Sequence, residues 1–254
     1  LKALGAPIPT YAHVPMILGQ DGERLSKRHG AVSVLQYRDE GYLPEALLNY
    51  LARLGWSHGD DEKFDLKQFV DWFDVGHVSH SAARFDASKL GWLNQQYLKE
   101  ADNGRLADLV QPFLQAQGID TTGRAELPGL IGLVKERVNT VEELADGLHI
   151  YFRQALAAAE ELRAKLPKAA LPAFEKLHSD LAGITWEAPA LSQLLKDTAA
   201  AFGMKMGQIG MPLRLILFGT AQTPSIDQVL ALLGREETLR RFAAAWPHVQ
   251  AVVE

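Results

Sequence analysis

The feature that most constrains this chain is the helical spacing of its apolar residues, which begins near Val32 and continues to the C-terminus. Leu47, Tyr50, Leu51 and Leu54, for example, recur at intervals of three and four residues. This spacing is typical of one face of an amphipathic helix. The sequence therefore predicts a mainly α-helical fold.

Capping residues place several of these helices. Pro44 stands at a first helical position, and Gly55 is a natural end for the helix that follows it. Asp65 with Gln68 has the spacing of a capping box, which predicts a helix over 65–74. Further helices are expected from about 86, at 104–117, around 130–137, from 140, and at 154–166, 171–182, 189–202, 204–218 and 225–246, the last split near Gly234.

The first thirty residues differ from the rest because Gly and Pro interrupt any long helix. A short strand is expected at 13–18, followed by a turn at Asp21-Gly22. We therefore predict a short α/β remnant followed by helical domains. Boundaries near residues 30, 102 and 185 divide the chain into the parts 1–30, 31–102, 103–185 and 186–254.

Composition excludes several classes of protein. The chain of 254 residues has no cysteine, which excludes a disulfide scaffold, a Cys-based zinc site, an iron–sulfur cluster and a thiol nucleophile. That absence fits a reducing compartment. The formal net charge is −5, so a nucleic-acid binder of this composition would need local basic patches. No transmembrane helix and no metal site are expected from the sequence.

One basic cluster stands out in the N-terminal segment. The run from Arg24 to Gly30 carries three cations and the hydroxyl of Ser26, and it lies between a predicted turn and a predicted helix. Backbone N–H groups, a hydroxyl and cations in such a loop can hold a polyphosphate. On the pattern alone, a basic turn at the surface remains the alternative.

The stretches around this cluster resemble the bacterial glutamyl-tRNA synthetases, and residues Arg24–Arg28 resemble the KMSKS loop of class I aminoacyl-tRNA synthetases. Arg24 stands where the family has the first lysine of that loop, so the charge is kept. The matching stretches are Tyr11–Ile17, Leu25–Val34, Tyr37–Leu51 and Leu54–Asp60, with shorter matches at Phe85–Asp86, Lys89–Leu90, Trp92–Asn94, Gly210–Arg214 and Leu233–Glu236. The resemblance spans essentially the whole chain and is thinner between about 100 and 200.

The resemblance implies a division of labour among the four parts. Residues 1–30 would be the end of the catalytic fold, 31–102 a helical stem-contact domain, and 103–185 and 186–254 two anticodon-binding subdomains. The first part of the family's nucleotide-binding fold, with its H-I-G-H-type sequence, is absent from this chain. The chain is therefore expected to be a C-terminal portion that binds tRNA without aminoacylating it.

For the full-length parent, the resemblance implies a glutamate–tRNA ligase that uses ATP with Mg²⁺ and forms glutamyl-adenylate. None of these ligands is expected on this chain alone. The implied partner is a glutamate-specific tRNA, with no DNA and no membrane. A monomer in the cytoplasm is the family expectation.

The resemblance also implies roles for individual residues. The expected catalytic residues are Lys27 and Ser26. Lys27 would be the main phosphate cation, Ser26 would hold the loop, and Arg28 would assist. The expected ATP-binding residues are Arg24, Leu25, Ser26, Lys27 and Arg28. Arg137 falls where the family places an anticodon-reading arginine, and an arginine on a solvated helix face is the alternative. Further expected tRNA contacts are Lys205, Arg214, Arg235, Arg240 and Arg241.

Two other interpretations stay open at this point. A related paralogue that glutamylates a modified tRNA base has no anticodon domain, and the long helical body argues against it. A helical protein-interaction module with no nucleic-acid role would show no tRNA affinity that depends on salt.

Overall fold

Helices form most of the chain, of which the computed structural model describes residues 1–26 and 33–253. The chain divides into two compact units. The N-terminal unit comprises Leu1–Glu100 with Asn139–Val141, and the C-terminal unit comprises Ala101–Val138 with Glu142–Glu254. The predicted division into four parts remains a prediction.

In its described residues the N-terminal unit combines a small sheet with four α-helices and short 3₁₀ helices. Strands β1 (Ile17–Leu18) and β2 (Ala83–Arg84) pair in parallel, with Ile17 opposite Ala83. The helices are α1 (Val34–Asp39), α2 (Pro44–Arg53), α3 (Leu66–Trp72) and α4 (Ala87–Glu100). Their core joins Leu47, Tyr50 and Leu54 of the α2 region to Leu90 and Leu93 of α4. These residues repeat at helical spacing, so one buried stripe on each helix supplies the core.

The capping predictions in this unit are confirmed. Pro44 lies in the first turn of α2. At the start of α3 the Asp65 carboxylate accepts from the Gln68 N–H at 2.7 Å, and the Gln68 side chain accepts from the Asp65 N–H at 2.9 Å. This reciprocal pair satisfies two donors that a helix start leaves unpaired.

A buried amide explains why three residues from later in the chain belong to the N-terminal unit. Asn94 is fully buried; its Oδ1 accepts from the Leu43 N–H at 2.8 Å, and its Nδ2 donates to the Asn139 carbonyl. The Val141 N–H in turn donates to the Gly41 carbonyl at 2.9 Å. Residues 139–141 are therefore attached through buried polar groups that would be costly to leave unpaired.

The C-terminal unit is built from helices throughout its described residues. They are α5 (Asn103–Ala116), α6 (Leu127–Val134), α7 (Val141–Phe152), α8 (Ala159–Lys165), α9 (Leu171–Gly183), α10 (Ala188–Ala201), α11 (Met206–Phe218), α12 (Ile226–Leu233) and α13 (Arg235–Val253). A short 3₁₀ helix, Lys135–Arg137, follows α6. Fully buried side chains such as Leu144, Phe174, Ile216 and Phe242 fill the core. Gly234 separates α12 from α13, as predicted.

Three predictions of local structure are wrong in extent. The last helix, expected to end at 246, continues to Val253. The helix expected over 154–166 is limited to α8, because residues 155–157 make tertiary contacts and do not continue the helix. The Ala157 carbonyl lies 3.0 Å from His248 Nε2, and a Cβ at Gly219 would meet the Ala155 carbonyl oxygen at 2.7 Å. The strand expected over 13–18 is paired at 17–18 alone, and its partner β2 was not predicted. None of the helices in the described part of the chain is long and apolar enough to cross a membrane.

Candidate nucleic-acid interface

The predicted ATP-binding loop begins at the end of β1. The Asp21-Gly22 turn is present, with Gly22 at a φ of 82°, where glycine avoids steric strain. Beyond the turn, Arg24 forms an antiparallel bridge with Leu18, and the Leu25 N–H donates to the Ile17 carbonyl at 2.9 Å. The turn thus brings the start of the loop back beside the strand.

The structure describes the first residues of the predicted ATP-binding loop, Arg24 to Ser26. Arg24 is exposed, and Leu25 and Ser26 are half-buried. Lys27 and Arg28, the predicted phosphate cations, lie outside the described residues, so their roles remain predictions. An exposed guanidinium followed by a hydroxyl is a donor set that suits a polyphosphate.

In the C-terminal unit, two of the predicted tRNA-binding arginines meet at one threonine. Arg137, the last residue of the 3₁₀ helix, donates from Nη1 to the Thr223 carbonyl at 3.2 Å. Arg214, in the middle of α11, donates from Nε to Thr223 Oγ1 at 2.8 Å. We call Arg137, Arg214 and Thr223 the arginine cluster.

Arg214 is held rigidly by its surroundings. Its Nη1 donates to the Gly210 carbonyl one turn earlier on α11 at 2.9 Å, and its Nη2 donates to the Pro224 carbonyl at 3.2 Å. A Cβ at Gly210 would lie 3.0 Å from that Nη1, so glycine suits this position. Burial, followed by the charge of Arg137, lowers the pKa of the Arg214 guanidinium. The cluster therefore concentrates positive charge in a partly desolvated place.

A buried tyrosine that the sequence analysis did not single out lies beside this cluster. Tyr151, on α7, is 3% exposed, and its hydroxyl has no hydrogen-bond partner among the described residues. Burial raises the pKa of Tyr151 to about 12, while the charges of Arg137 and Arg214 act in the opposite direction. The hydroxyl is therefore protonated at neutral pH and lies within electrostatic range of both guanidinium groups.

The other predicted tRNA contacts occupy different surroundings. Lys205 is exposed at the N-terminus of α11. Arg235 donates to the Ile184 carbonyl, and its guanidinium carbon lies 5.7 Å from the centre of the Trp186 ring. Arg240 is exposed and binds the Glu237 carboxylate through two nitrogens, at 2.6 and 2.7 Å.

Arg241 is placed differently from the prediction. It is 1% exposed, and it donates from Nε to Glu237 at 2.7 Å, from Nη1 to the Ile150 carbonyl at 2.7 Å and from Nη2 to the Tyr151 carbonyl. A guanidinium that is enclosed and has all three of its nitrogens bonded within the protein has no donor group left for RNA. We therefore assign Arg241 a structural role. Nothing in the sequence distinguishes Arg241 from the adjacent Arg240, so the burial of Arg241 could not be predicted from the sequence.

A metal site is not supported by the part of the chain that the structure describes, where no group of three or more His, Asp or Glu side chains converges. His58 and Asp61 form an exposed pair with 3.0 Å between Nδ1 and Oδ2. His58 also stacks on Trp72, with ring centres 4.2 Å apart. This loop is a small aromatic and polar surface feature.

The two units match two known protein families. Residues 105–246 match the family described as an anticodon binding domain, and residues 1–92 match the catalytic domain of the class I tRNA synthetases of the E and Q group. Because the first of these matches covers more than half of the chain, the chain belongs to the anticodon binding domain family.

The most similar relatives named by the comparisons are glutamate–tRNA ligases. The enzyme of Nitrosospira multiformis is 60% identical over 245 residues, which cover 95% of this chain and 52% of that protein. The enzyme of Herminiimonas arsenicoxydans is 52% identical over 243 residues, which cover 96% of this chain and 52% of that protein. A crystal structure of the glutamate–tRNA ligase of Elizabethkingia meningosepticum, with its amino acid, matches 98% of this chain and 53% of its own, with a TM-score of 0.86 and 28% identity. The chain thus spans about half the length of these relatives.

Proposed function

We propose that this chain is the tRNA-binding part of a glutamate–tRNA ligase and that the arginine cluster contacts the anticodon. The observation that carries the proposal is the convergence of Arg137 and Arg214 on Thr223 from two separate elements. All three residues lie within the part of the chain that matches the anticodon binding domain. The predicted reader, Arg137, therefore has a second arginine as its neighbour.

The chemistry of the cluster suits single-stranded RNA. Anticodon bases are read when they leave the stack, so that side chains can contact their edges and faces. A guanidinium both stacks on a base and donates two parallel hydrogen bonds to it. Arg214 is fixed by its three partners and presents a preformed surface, whereas the exposed Arg137 can turn toward the ligand.

The activity of the whole enzyme is part of the same proposal. Its relatives are named glutamate–tRNA ligases, and the family implies use of ATP. The segment Arg24–Arg28 would hold the ATP phosphates, with Lys27 as the main cation, Ser26 holding the loop and Arg28 assisting. Mg²⁺ would accompany ATP in the full-length parent. We expect the chain by itself to bind tRNA, as a cytoplasmic monomer, without charging it.

The remaining cations would support the tRNA backbone. Lys205, Arg235 and Arg240 are exposed in the described structure and stay in the proposed contact set. Within the four-part division, 31–102 would contact the tRNA stem, and 103–185 and 186–254 would bind the anticodon region. Arg241 is left out of the contact set because it is enclosed in the core.

The test is binding of the chain to glutamate tRNA and to a non-cognate tRNA at two salt concentrations. We expect Arg137→Ala to weaken cognate binding by about ten- to a hundredfold, the effect typical of losing a base-contacting arginine. Lys176→Ala is the matched control, because Lys176 is an exposed cation already paired with Asp180 at 2.8 Å. This control should leave the affinity unchanged.

Three outcomes separate the alternatives. Cognate preference that falls with salt and with Arg137→Ala supports the proposal, because phosphate contacts release counterions. Preference that survives the substitution would move the anticodon contact away from Arg137. No tRNA binding at low salt would contradict the proposed function and favour a helical interaction module.

A further inference from the structure

The Tyr151 hydroxyl is a buried polar group without a partner in the part of the chain that the structure describes. It is out of contact with solvent, and no described residue accepts or donates a hydrogen bond to it. Buried polar groups are almost always paired, because leaving one unpaired costs free energy. Each exception in a folded protein therefore calls for a reason, and a functional role is one such reason.

The position of Tyr151 follows from contacts on both sides of the residue. Its ring packs edge-on against Phe218, with ring centres 5.5 Å apart. Phe218 lies one turn after Arg214 on the same face of α11. On the other side, Arg241 donates to the Tyr151 carbonyl and fixes the backbone. The Tyr151 ring is thus held in place against the face of α11 that also carries Arg214.

We propose that the Tyr151 hydroxyl is a further RNA-contacting group of the arginine cluster and donates a hydrogen bond to an acceptor oxygen of the bound nucleotide. The proposal rests on the proposed function of the cluster and adds to it. The cluster brings two guanidinium groups, which have donors alone. A phenol O–H beside them extends the same donor surface, and its complement is a base carbonyl or a phosphate oxygen.

Access to the hydroxyl requires a local rearrangement. Arg137 is exposed and is held by a hydrogen bond of 3.2 Å to a backbone carbonyl, so its side chain can turn at little cost. Tyr151 and Arg214, by contrast, are fixed by packing and by several bonds. We therefore expect Arg137 to move toward the nucleotide and the other two side chains to stay in place.

The test is Tyr151→Phe in the full chain, measured for both stability and tRNA affinity. Removing an unpaired hydroxyl should leave the Tm unchanged or raise it, while affinity for glutamate tRNA falls about tenfold through the loss of one hydrogen bond. A merely structural role would lower both quantities together. Tyr50→Phe is the control, because the Tyr50 hydroxyl donates to the Asp86 carbonyl at 3.0 Å and accepts from its N–H at 2.6 Å. This control should lower the Tm and leave the affinity unchanged.

Arg137→Ala in parallel distinguishes failure of this inference from failure of the proposed function. If Arg137→Ala weakens binding and Tyr151→Phe does not, the role of Tyr151 is refuted and the function of the cluster stands. If neither weakens binding, the proposed function fails and the inference fails with it. A lower Tm together with lower affinity for Tyr151→Phe would also overturn the inference.

A second set of ligands identifies the acceptor. Glutamate tRNAs with each anticodon base replaced in turn are compared on the wild type and on Tyr151→Phe. If the hydroxyl contacts a base carbonyl, the variant loses discrimination at one position. If it contacts a phosphate, the variant binds all these tRNAs more weakly by the same factor.

Discussion

The two units differ in what they do with large apolar side chains. The N-terminal unit leaves many of them exposed, including Leu4 at 83%, Val14 at 84% and Val75 at 62%. In the described C-terminal unit the exposed examples are fewer, and they are Leu156, Phe202, Met206 and Met211. Large exposed apolar patches favour association with other surfaces. The C-terminal unit is therefore the more self-contained of the two.

The units also differ in the polar groups they bury. The N-terminal unit buries neutral amides, Asn49 and Asn94, and each of them bonds to backbone groups. The C-terminal unit buries a charge, Arg241, and pairs it with Glu237. A buried charge that loses its partners costs more than a buried amide that does so. The same kind of substitution should therefore have unequal effects in the two units.

The largest effect is expected in the C-terminal unit, from Arg241→Ala. The substitution leaves the Ile150 and Tyr151 carbonyls without their partner and opens a cavity, so unfolding free energy should fall by about 3–5 kcal/mol. Urea denaturation measures this change in the unfolding free energy. Arg240→Ala is the matched control, since Arg240 is exposed and its surface ion pair should contribute less than about 1 kcal/mol. Equal effects for the two arginines would refute the structural role of Arg241.

A smaller loss of unfolding free energy is expected in the N-terminal unit, from Asn94→Ala. The buried Leu43 N–H loses its acceptor, which should lower the unfolding free energy by about 1–3 kcal/mol. Amide hydrogen exchange should also become faster at 139–141, because the Asn139 carbonyl loses its donor. Gln96→Ala on the same helix is the control and should change neither quantity. Unchanged exchange at 139–141 would show that Asn94 does not attach this segment.

Acid should affect the C-terminal unit through Glu237. Hydrogen bonds from Arg240, and then Arg241, lower the pKa of Glu237 to about 2 from its ordinary value of 4.5. The stability linked to this carboxylate is therefore present above pH 4.5 and is lost as the pH falls from 4.5 toward 2.

Thermal unfolding between pH 6 and 2 checks this expectation. Glu237→Gln should be less stable than the wild type at neutral pH, and the difference should shrink below pH 4.5. The exposed Glu175→Gln on α9 should give a curve parallel to that of the wild type. If the Glu237→Gln curve is also parallel to that of the wild type, the stability that we link to the Glu237 carboxylate is contradicted.

The smallest effect on stability is expected from the exposed apolar residues of the N-terminal unit. Val14→Ser with Met16→Ser should change the unfolding free energy by less than about 0.5 kcal/mol, because both side chains are already largely in water. Binding of an apolar dye should fall. Phe202→Ser with Met206→Ser in the C-terminal unit should reduce dye binding less. A larger fall in dye binding for the C-terminal variant than for the N-terminal variant would contradict the conclusion that the N-terminal unit exposes more apolar surface.

Local features of the fold were predictable wherever a short signal decides the structure. Pro44, the Asp65–Gln68 pair and Gly234 each act within one turn of helix, and each marks a boundary of the structure. Strand β2 was missed because two residues, Ala83 and Arg84, carry too little pattern. The helix expected at 154–166 failed because tertiary contacts of residues 155–157 override their helix propensity.

The arginine cluster shows the same limit at the level of a site. Arg137 and Arg214 are each expected from the sequence to contact tRNA. Their meeting at Thr223 has no local signal, since Arg137 lies 86 residues before Thr223 in the sequence, although Arg214 lies nine residues before it. Tyr151 was missed for a further reason: a tyrosine at helical spacing predicts a core residue, and its unpaired hydroxyl is visible in three dimensions alone.

The parallel pairing of β1 with β2 has a consequence for the kinetics of folding. The two strands are separated in sequence by α1, α2 and α3, so their pairing closes a long loop, whereas the helices of both units form from near neighbours. Closing a long loop costs entropy and slows the contacts that depend on it. We expect the helices to form first and the two strands to pair late. Release of that short pair would free the first sixteen residues to proteases while α2 and α4 stay packed.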